Sequence, residues 1–320
     1  MRFSRWFTLS AVLLSCQVVA GNFPEKPIKL VVPLAPGGAT DMVARLLGEK
    51  VGQVLGQPIV IENRPGAGGS IGSDYVAKSA PDGYTMLMGT IGTLAVTPSL
   101  YQSLPYDSDK AFSPVSLATG SQFVLVINPA VEARSVSELI EQAKSHPGKF
   151  NYGSAGNGST PHLAMELLKQ RTGVDMTHVP YRGSGPMISA LLGGEVQVGM
   201  PDLPAALPHI QSGKLVALGV SSTKRAGTAD NIPTLSESGI KDFEVLVWLG
   251  LLTPAGTPPA IVDTLSHAVQ KALKEPSMQR RLAESDVSVF ASTPQEFADY
   301  IQSERTKWDQ VVKQSGATIN

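Results

Sequence analysis

The chain has 320 residues, 42% hydrophobic and 17% charged, with a formal net charge of -1 at pH 7, which is material for two modest cores. A near-neutral balance without a basic cluster excludes nucleic acid as a partner and leaves no polybasic patch for an anionic membrane surface. The single cysteine, Cys16, excludes an intramolecular disulfide, so stability rests on packing.

Residues 1–20, MRFSRWFTLSAVLLSCQVVA, set Arg2 and Arg5 before an apolar run from Trp6 to Leu14 and finish in Val18-Val19-Ala20. That is the layout of a signal peptide cleaved before Gly21, too short for a membrane span. LLSC also fits a lipoprotein cleavage box in which Cys16 becomes the lipidated first residue, but the small-residue site at Ala20 is the better formed. From Pro27 onward, short β-branched runs alternate with helical periods. IKLVVPL reads as a strand, and Asp41 to Leu55 places Met42, Val43, Leu46, Leu47, Val54 and Leu55 on one helical face. PIVIEN is the next strand, SIGSDYVAKSA a helix and YTMLMGT a third strand, the βαβ signature of a parallel sheet flanked by helices. The extended run from Ser113 to Pro129 carries the chain out of one sheet and into another. The alternation then restarts with helix Val136 to Lys144, strand FNYGS, helix Pro161 to Arg171, strand THVPY, helix Pro186 to Leu192, strand VQVGM, a helix through LPAALPHIQSG and strand LVALGV. A second extended run, Phe243 to Pro254, precedes helices Pro259 to Leu273 and Pro294 to Gln314, the last opened by a capping box of Thr293 and Glu296. Two crossings around a middle block predict an α/β fold of two domains, residues 21–122 with 246–320 and residues 123–245, with a ligand-sized cleft between them.

Two glycine loops share one construction. Leu34-Ala35-Pro36-Gly37-Gly38-Ala39 follows the first strand and leads to Thr40 as the expected N-cap. Ser154-Ala155-Gly156-Asn157-Gly158-Ser159 follows FNYGS and leads to Thr160 as the expected N-cap, with Pro161 at the first helical position. Glycines let a ligand touch the backbone, and the first-turn amides of a helix carry a partial positive charge, so each loop reads as an anion cradle. In open α/β sheets, ligands lie beyond the carboxyl ends of strands, which would set the two loops face to face. Ser154, Ser159, Thr160, and Thr90 and Gly92 in MGTIGT complete the donor set for a carboxylate. His162, in the first turn behind the second loop, is a candidate ligand contact, whereas the other histidines read as surface or capping residues. Arg182 in VPYRGSGP either pairs with an anion or sits at the cleft rim in solvent. Tyr181 lines the cleft or fills a core edge. Asp202 accepts from a ligand or caps the helix after it, and Trp248 reads as core.

Rival chemistries find little support. GGSIG matches the G-x-S-x-G nucleophile elbow around Ser70, but Pro65-Gly66-Ala67 separates it from its strand, which favours a glycine turn capped by Ser70. A secreted hydrolase using Ser70 would lose ester turnover in Ser70→Ala. No phosphate-binding glycine motif occurs and the histidines have no metal-ligand spacing, so no cofactor and no metal is expected.

EKPIKLVVPLAPGGATDMVARLL, VIENRPGAGGSIGSDYVAKSAPDGYTMLMGT, YGSAGNGSTPHLAMELL, HVPYRGSGPM and IPTLSESGIKDFEVLVWLGLLTPAGTP together resemble the substrate-binding proteins of tripartite tricarboxylate transporters, the Bug family. The resemblance runs in order through the whole mature chain. It implies a periplasmic solute-binding protein with the type II-like, two-crossover Venus-flytrap fold, closing on a small organic acid and delivering it to a membrane permease. By position, Leu34 to Ala39 form the first clamp and Ser154 to Thr160 the second, working through backbone amides and bridging waters, and Asp202 reads the far end of the ligand. The family often has an aromatic residue where this chain has Leu34, and an aromatic or polar residue where it has Pro201, so no particular substrate carries over. The candidates are a mono-, di- or tricarboxylate or an acidic amino acid. A periplasmic sensor presenting its closed form to a receptor would need the same clamp, and nothing demands more than a monomer.

Overall fold

The computed structural model describes residues 23–101 and 103–315, so the expected signal peptide and Cys16 lie outside the described residues. β1 (Ile28–Val32) is an almost wholly buried apolar run, as a strand covered on both faces requires. It feeds α1 (Ala39–Leu55), which buries Val43, Ala44, Leu47 and Val51 along one stripe. β2 (Ile59–Asn63), a 3₁₀ turn at Ala67–Gly69, α2 (Ser70–Ala77) and β3 (Thr85–Thr90) follow. A π-helical turn, Gly92–Val96, then runs into the short α3 (Thr97–Leu100). The first crossing is β4 (Phe112–Gln122) continued by β5 (Val124–Ile127).

The middle of the chain forms α4 (Val136–Ser145), β6 (Asn151–Ser154), α5 (Thr160–Thr172), β7 (Thr177–Pro180), α6 (Ser184–Gly193), β8 (Val198–Gly199), α7 (Leu203–Gln211) and β9 (Val216–Val220). β10 (Leu246–Pro254) returns to the first sheet, followed by α8 (Pro259–Lys274), α9 (Pro276–Ala283), β11 (Val287–Val289) and α10 (Pro294–Ser315). The first sheet has the order β11-β4-β10-β3-β1-β2 and the second β7-β6-β8-β5-β9. The expected strands and long helices are therefore present. The π turn, α3, α9 and β11 were not anticipated from the sequence.

Three expected caps are displaced. The N-cap of α1 is Gly38, without a side-chain bond, and Thr40 lies buried inside the helix. The N-cap of α5 is Ser159, whose Oγ accepts from the His162 amide at 3.4 Å; Thr160 begins the helix. α2 is entered from Gly69 in a left-handed conformation, so Ser70 is its first residue and not its cap. In all three, a residue one or two positions before the expected one already carries the turn, and the helix starts correspondingly earlier. The α10 capping box is observed as expected: Glu296 N–H donates to Thr293 Oγ1 at 3.2 Å, and Thr293 N–H to Glu296 Oε2 at 2.8 Å.

α10 packs on β4 of the first sheet and reaches α5 beside the second. Its buried Glu304 accepts from the indole nitrogens of Trp248 at 2.8 Å and Trp308 at 3.1 Å, and its Val311 carbonyl accepts from Gln170 of α5. Trp248 is fully buried, the core role read from its sequence context. One apolar cluster accordingly runs from Val31 and Leu87 through Phe123 and Tyr152 to Trp308.

Candidate ligand site

Strand directions decide which loops meet. β1 and β3 are parallel, β3 and β4 both run antiparallel to β10, and the chain leaves β4 for the second sheet. The carboxyl ends of β1 and β3 therefore lie at the crossing end of the first sheet. In the second sheet β8 runs antiparallel to β5, and β6 and β7 run parallel with β8, which brings their carboxyl ends to the crossing too. Leu34 to Ala39, Thr90 and Gly92, Ser154 to Thr160, Tyr181 with Arg182, and Asp202 all follow those ends.

Residues 34–39 of the first loop are exposed. What holds the loop is Asp41, which was not among the residues singled out from the sequence. Its carboxylate accepts from Gly37 N–H at 3.0 Å, Arg45 Nε at 2.9 Å and Asn63 Nδ2 at 2.9 Å, and Asn63 also donates to the Leu34 carbonyl. The Gly37 amide is thus engaged internally, while the first-turn amides of α1 beyond it have no intrahelical acceptor. Arg45 above all, then the Gly37 amide, hold the Asp41 carboxyl down at about 2, against burial, which works the other way. A carboxyl depressed in the folded state stabilises fully above its unfolded value near 4 and loses that contribution as pH falls through about 2. The urea midpoints of the wild type and Asp41→Asn should therefore differ by a constant amount above about pH 4 and converge on acidification toward pH 2. A difference independent of pH would remove Asp41 from this role.

The GGSIG segment buttresses the first loop from behind. A side chain at Gly69 would meet Thr93 Cγ2 at 2.5 Å, and one at Gly72 would meet Pro33 Cα and the Arg64 carbonyl oxygen, each at 2.9 Å. Ser70 is buried, and no histidine bonds to it among the described residues. Thr90 is buried and trades hydrogen bonds with Thr93 across the π turn, so its hydroxyl shapes the β3 loop. Gly92 opens that turn.

Ser154 in the second loop is fully buried; its Oγ accepts from Gly156 N–H at 3.1 Å and lies 2.6 Å from Nε2 of His178. Ser159 Oγ donates to the Gly156 carbonyl at 2.7 Å. Gly158 N–H donates to Nδ1 of His162 at 3.0 Å, so His162 supports the loop from within, 6% exposed. His178, expected at the surface or a cap, instead stacks on His162, because burial under the loop gives both rings an apolar face to cover. The Tyr181 and Gly183 amides donate to the Ser154 and Ala155 carbonyls and pin the strand end of β7 to the loop. The Ala155, Asn157 and Thr160 amides and the Thr160 hydroxyl make no hydrogen bond among the described residues, and Asn157 is exposed. Tyr181 is half-buried, and Arg182 is exposed with no ion pair among the described residues. Asp202 stands at the N-cap of α7 without a capping bond, and burial pushes its carboxyl up. A cavity of about 870 Å³ lies elsewhere, between α4, the end of α5 and residues 238–241. It is an open groove lined by none of these loops, and the crossing end is the better candidate on chemistry.

Residues 43–317 match the family described as the tripartite tricarboxylate transporter family receptor. The chain belongs to that family. Among related proteins of this receptor family, BugT of Bordetella pertussis is 38% identical over 307 residues, spanning 96% of this chain and 94% of that one. Solved structures agree over nearly the full length. An R. palustris protein with adipate has a TM-score of 0.79 at 35% identity, covering 92% of this chain and 99% of that one. MatC from Rhodopseudomonas palustris with bound malate has a TM-score of 0.75 at 36% identity, covering 91% of this chain and 100% of that one. The receptor fold is that of the periplasmic binding proteins, as the resemblance implied; its two sheets are mixed where the pattern predicted parallel ones, because β10 and β5 run antiparallel to their neighbours. No helix among the described residues is long and apolar enough to cross a membrane.

Proposed function

We propose that this receptor is a periplasmic solute-binding protein that captures a small organic carboxylate at the crossing end and delivers it to a tripartite tricarboxylate-type permease. Residues 21–122 with 246–320 form one lobe in this reading and residues 123–245 the other, and the chain binds without catalysis or cofactor. The observation that carries it is the pairing of two strand-loop-helix N-termini at one end of the molecule, in a family whose solved members include adipate- and malate-bound proteins.

Magnitudes define the clamp. A helix N-terminus contributes about 0.3–1 kcal/mol to an anion, far short of the roughly 8 kcal/mol of micromolar binding. Direct bonds from the amides of Ala39, Thr40, Ala155 and Asn157 and from Thr160 supply the remainder, at about 1.5–3 kcal/mol for each charge-assisted bond. Generic backbone donors recognise the carboxylate, and side chains at the far wall, Asp202 among them, set selectivity.

A thermal-shift screen of the chain from Gly21 onward against malate, adipate, tricarboxylates, acidic amino acids and their amides tests this. A cognate acid at 100 times its Kd adds about 2.7 kcal/mol, a shift of several degrees, and its amide does not. No shift from any acid in ligand-free protein would end the proposal.

A further inference from the structure

Three rings lie nearly parallel beneath the second loop. His178 of β7 stacks on His162 of α5 with centroids 3.9 Å apart and an 8° interplanar angle, and on Tyr152 of β6 at 4.9 Å and 19°. Each imidazole holds one glycine of the loop. Gly158 N–H donates to Nδ1 of His162, which requires that nitrogen to be bare and the ring proton to sit on Nε2. Gly156 N–H donates to Ser154 Oγ, and that hydroxyl is in turn bonded to Nε2 of His178. Both glycines have positive φ, 127° and 70°, a region where the loop has no β-strand or helical ladder to hold its course. The two rings supply the missing constraint.

We propose that His162 and His178 are positioning residues whose neutral, stacked state sets the second loop, and that protonation of the pair, through Nδ1 of His162, releases it. A proton on Nδ1 of His162 turns the acceptor of the Gly158 amide into a second donor, and two cationic rings at this spacing repel. The other groups facing the pair are Glu166 and Lys169 of α5 and Tyr152 of β6. Glu166 accepts from Tyr152 Oη at 2.5 Å and Lys169 Nζ at 2.8 Å, so its negative charge is already committed. Burial, the largest influence, keeps both rings neutral, with His178 held down to about 4 and His162 lowered. Because both values are depressed in the folded state, the stabilisation from the neutral pair is complete above the ordinary imidazole value near 6.5 and is lost as pH falls through the lowered values, about 4 for His178.

The consequence for ligand affinity rests on the reading of this loop as a carboxylate clamp; the positioning itself does not. Two measurements separate them. In ligand-free protein, hydrogen exchange at the Gly158 amide should show protection at pH 7 that is lost in His162→Leu and kept in His162→Asn, whose Oδ1 replaces Nδ1 as acceptor. Unchanged protection in His162→Leu overturns the proposal. With malate and adipate as probes, His162→Leu should bind about tenfold more weakly at pH 7, one decade being 1.4 kcal/mol. His162→Asn should match the wild type at pH 7 and exceed it at pH 4.5. The acids titrate in the same range, so the comparison is between proteins at each pH. If the wild type binds neither acid, the clamp reading fails while Gly158 protection still decides the positioning role. Identical pH profiles for wild type and His162→Asn, with both acids bound, also overturn the proposal.

Discussion

Replacing Glu304 by Ala should destabilise the fold by about 2–5 kcal/mol, because it strands two buried indole N–H groups at about 1–3 kcal/mol each. Trp248 and Trp308 are both fully buried, and both donate to the same Oε2; Lys307, which pairs with Oε1, keeps partial access to water. Glu304→Gln retains an acceptor for the indoles and should cost clearly less. Guanidinium unfolding followed by tryptophan emission reports the environment of the same rings. A loss below about 1 kcal/mol for the alanine variant would mean that water or another acceptor reaches the indoles, and that α10 is not held this way.

Gly72→Val should damage stability and site together. The new Cβ would press on two backbone atoms, Pro33 Cα and the Arg64 carbonyl oxygen, neither of which can swing aside like a flexible side chain. Overpacking of this kind costs about 1–3 kcal/mol. Pro33 also begins the first loop, so the strain is relieved by moving Leu34 to Gly38, and affinity for a bound acid should fall at least about tenfold. Gly227→Ala is the control: Gly227 lies outside both loops, is exposed, has no positive φ, and its added methyl would meet nothing within 4 Å. It should leave both readouts near wild type. Equal effects from the two substitutions would sink the buttress argument.

The parts of this fold that were legible were those in which periodicity and burial coincide. Val124 to Ile127 continues Phe112 to Gln122 almost without pause, so a single extended run announced both sheets. α9 was missed because Pro276, which ends one helical pattern, also begins the next, and β11 because three residues carry no alternation. The loops were legible as chain reversals rich in glycine, but their internal wiring was not. Asp41, Arg45 and Asn63 converge from a helix and a neighbouring strand, and Ser154, His162 and His178 from three elements. Hydroxyls and amides that looked free in sequence, those of Ser154, Ser159, Thr90 and Gly37, are spent on holding the backbone. Sequence identifies donor types, whereas only the fold shows which donors remain unspent.

The position of β10 constrains the order in which this molecule can be assembled. It lies between β3 and β4, so the centre of the first sheet comes from residues more than a hundred positions beyond its neighbours. The second sheet, in contrast, draws all its strands from one uninterrupted stretch, β5 to β9. A chain emerging amino-terminus first thus makes β1 to β4 early but must leave a gap at their heart until Leu246 to Pro254 arrives. Non-local pairing of this kind slows folding. The half of the molecule that is begun first is the half that is finished last.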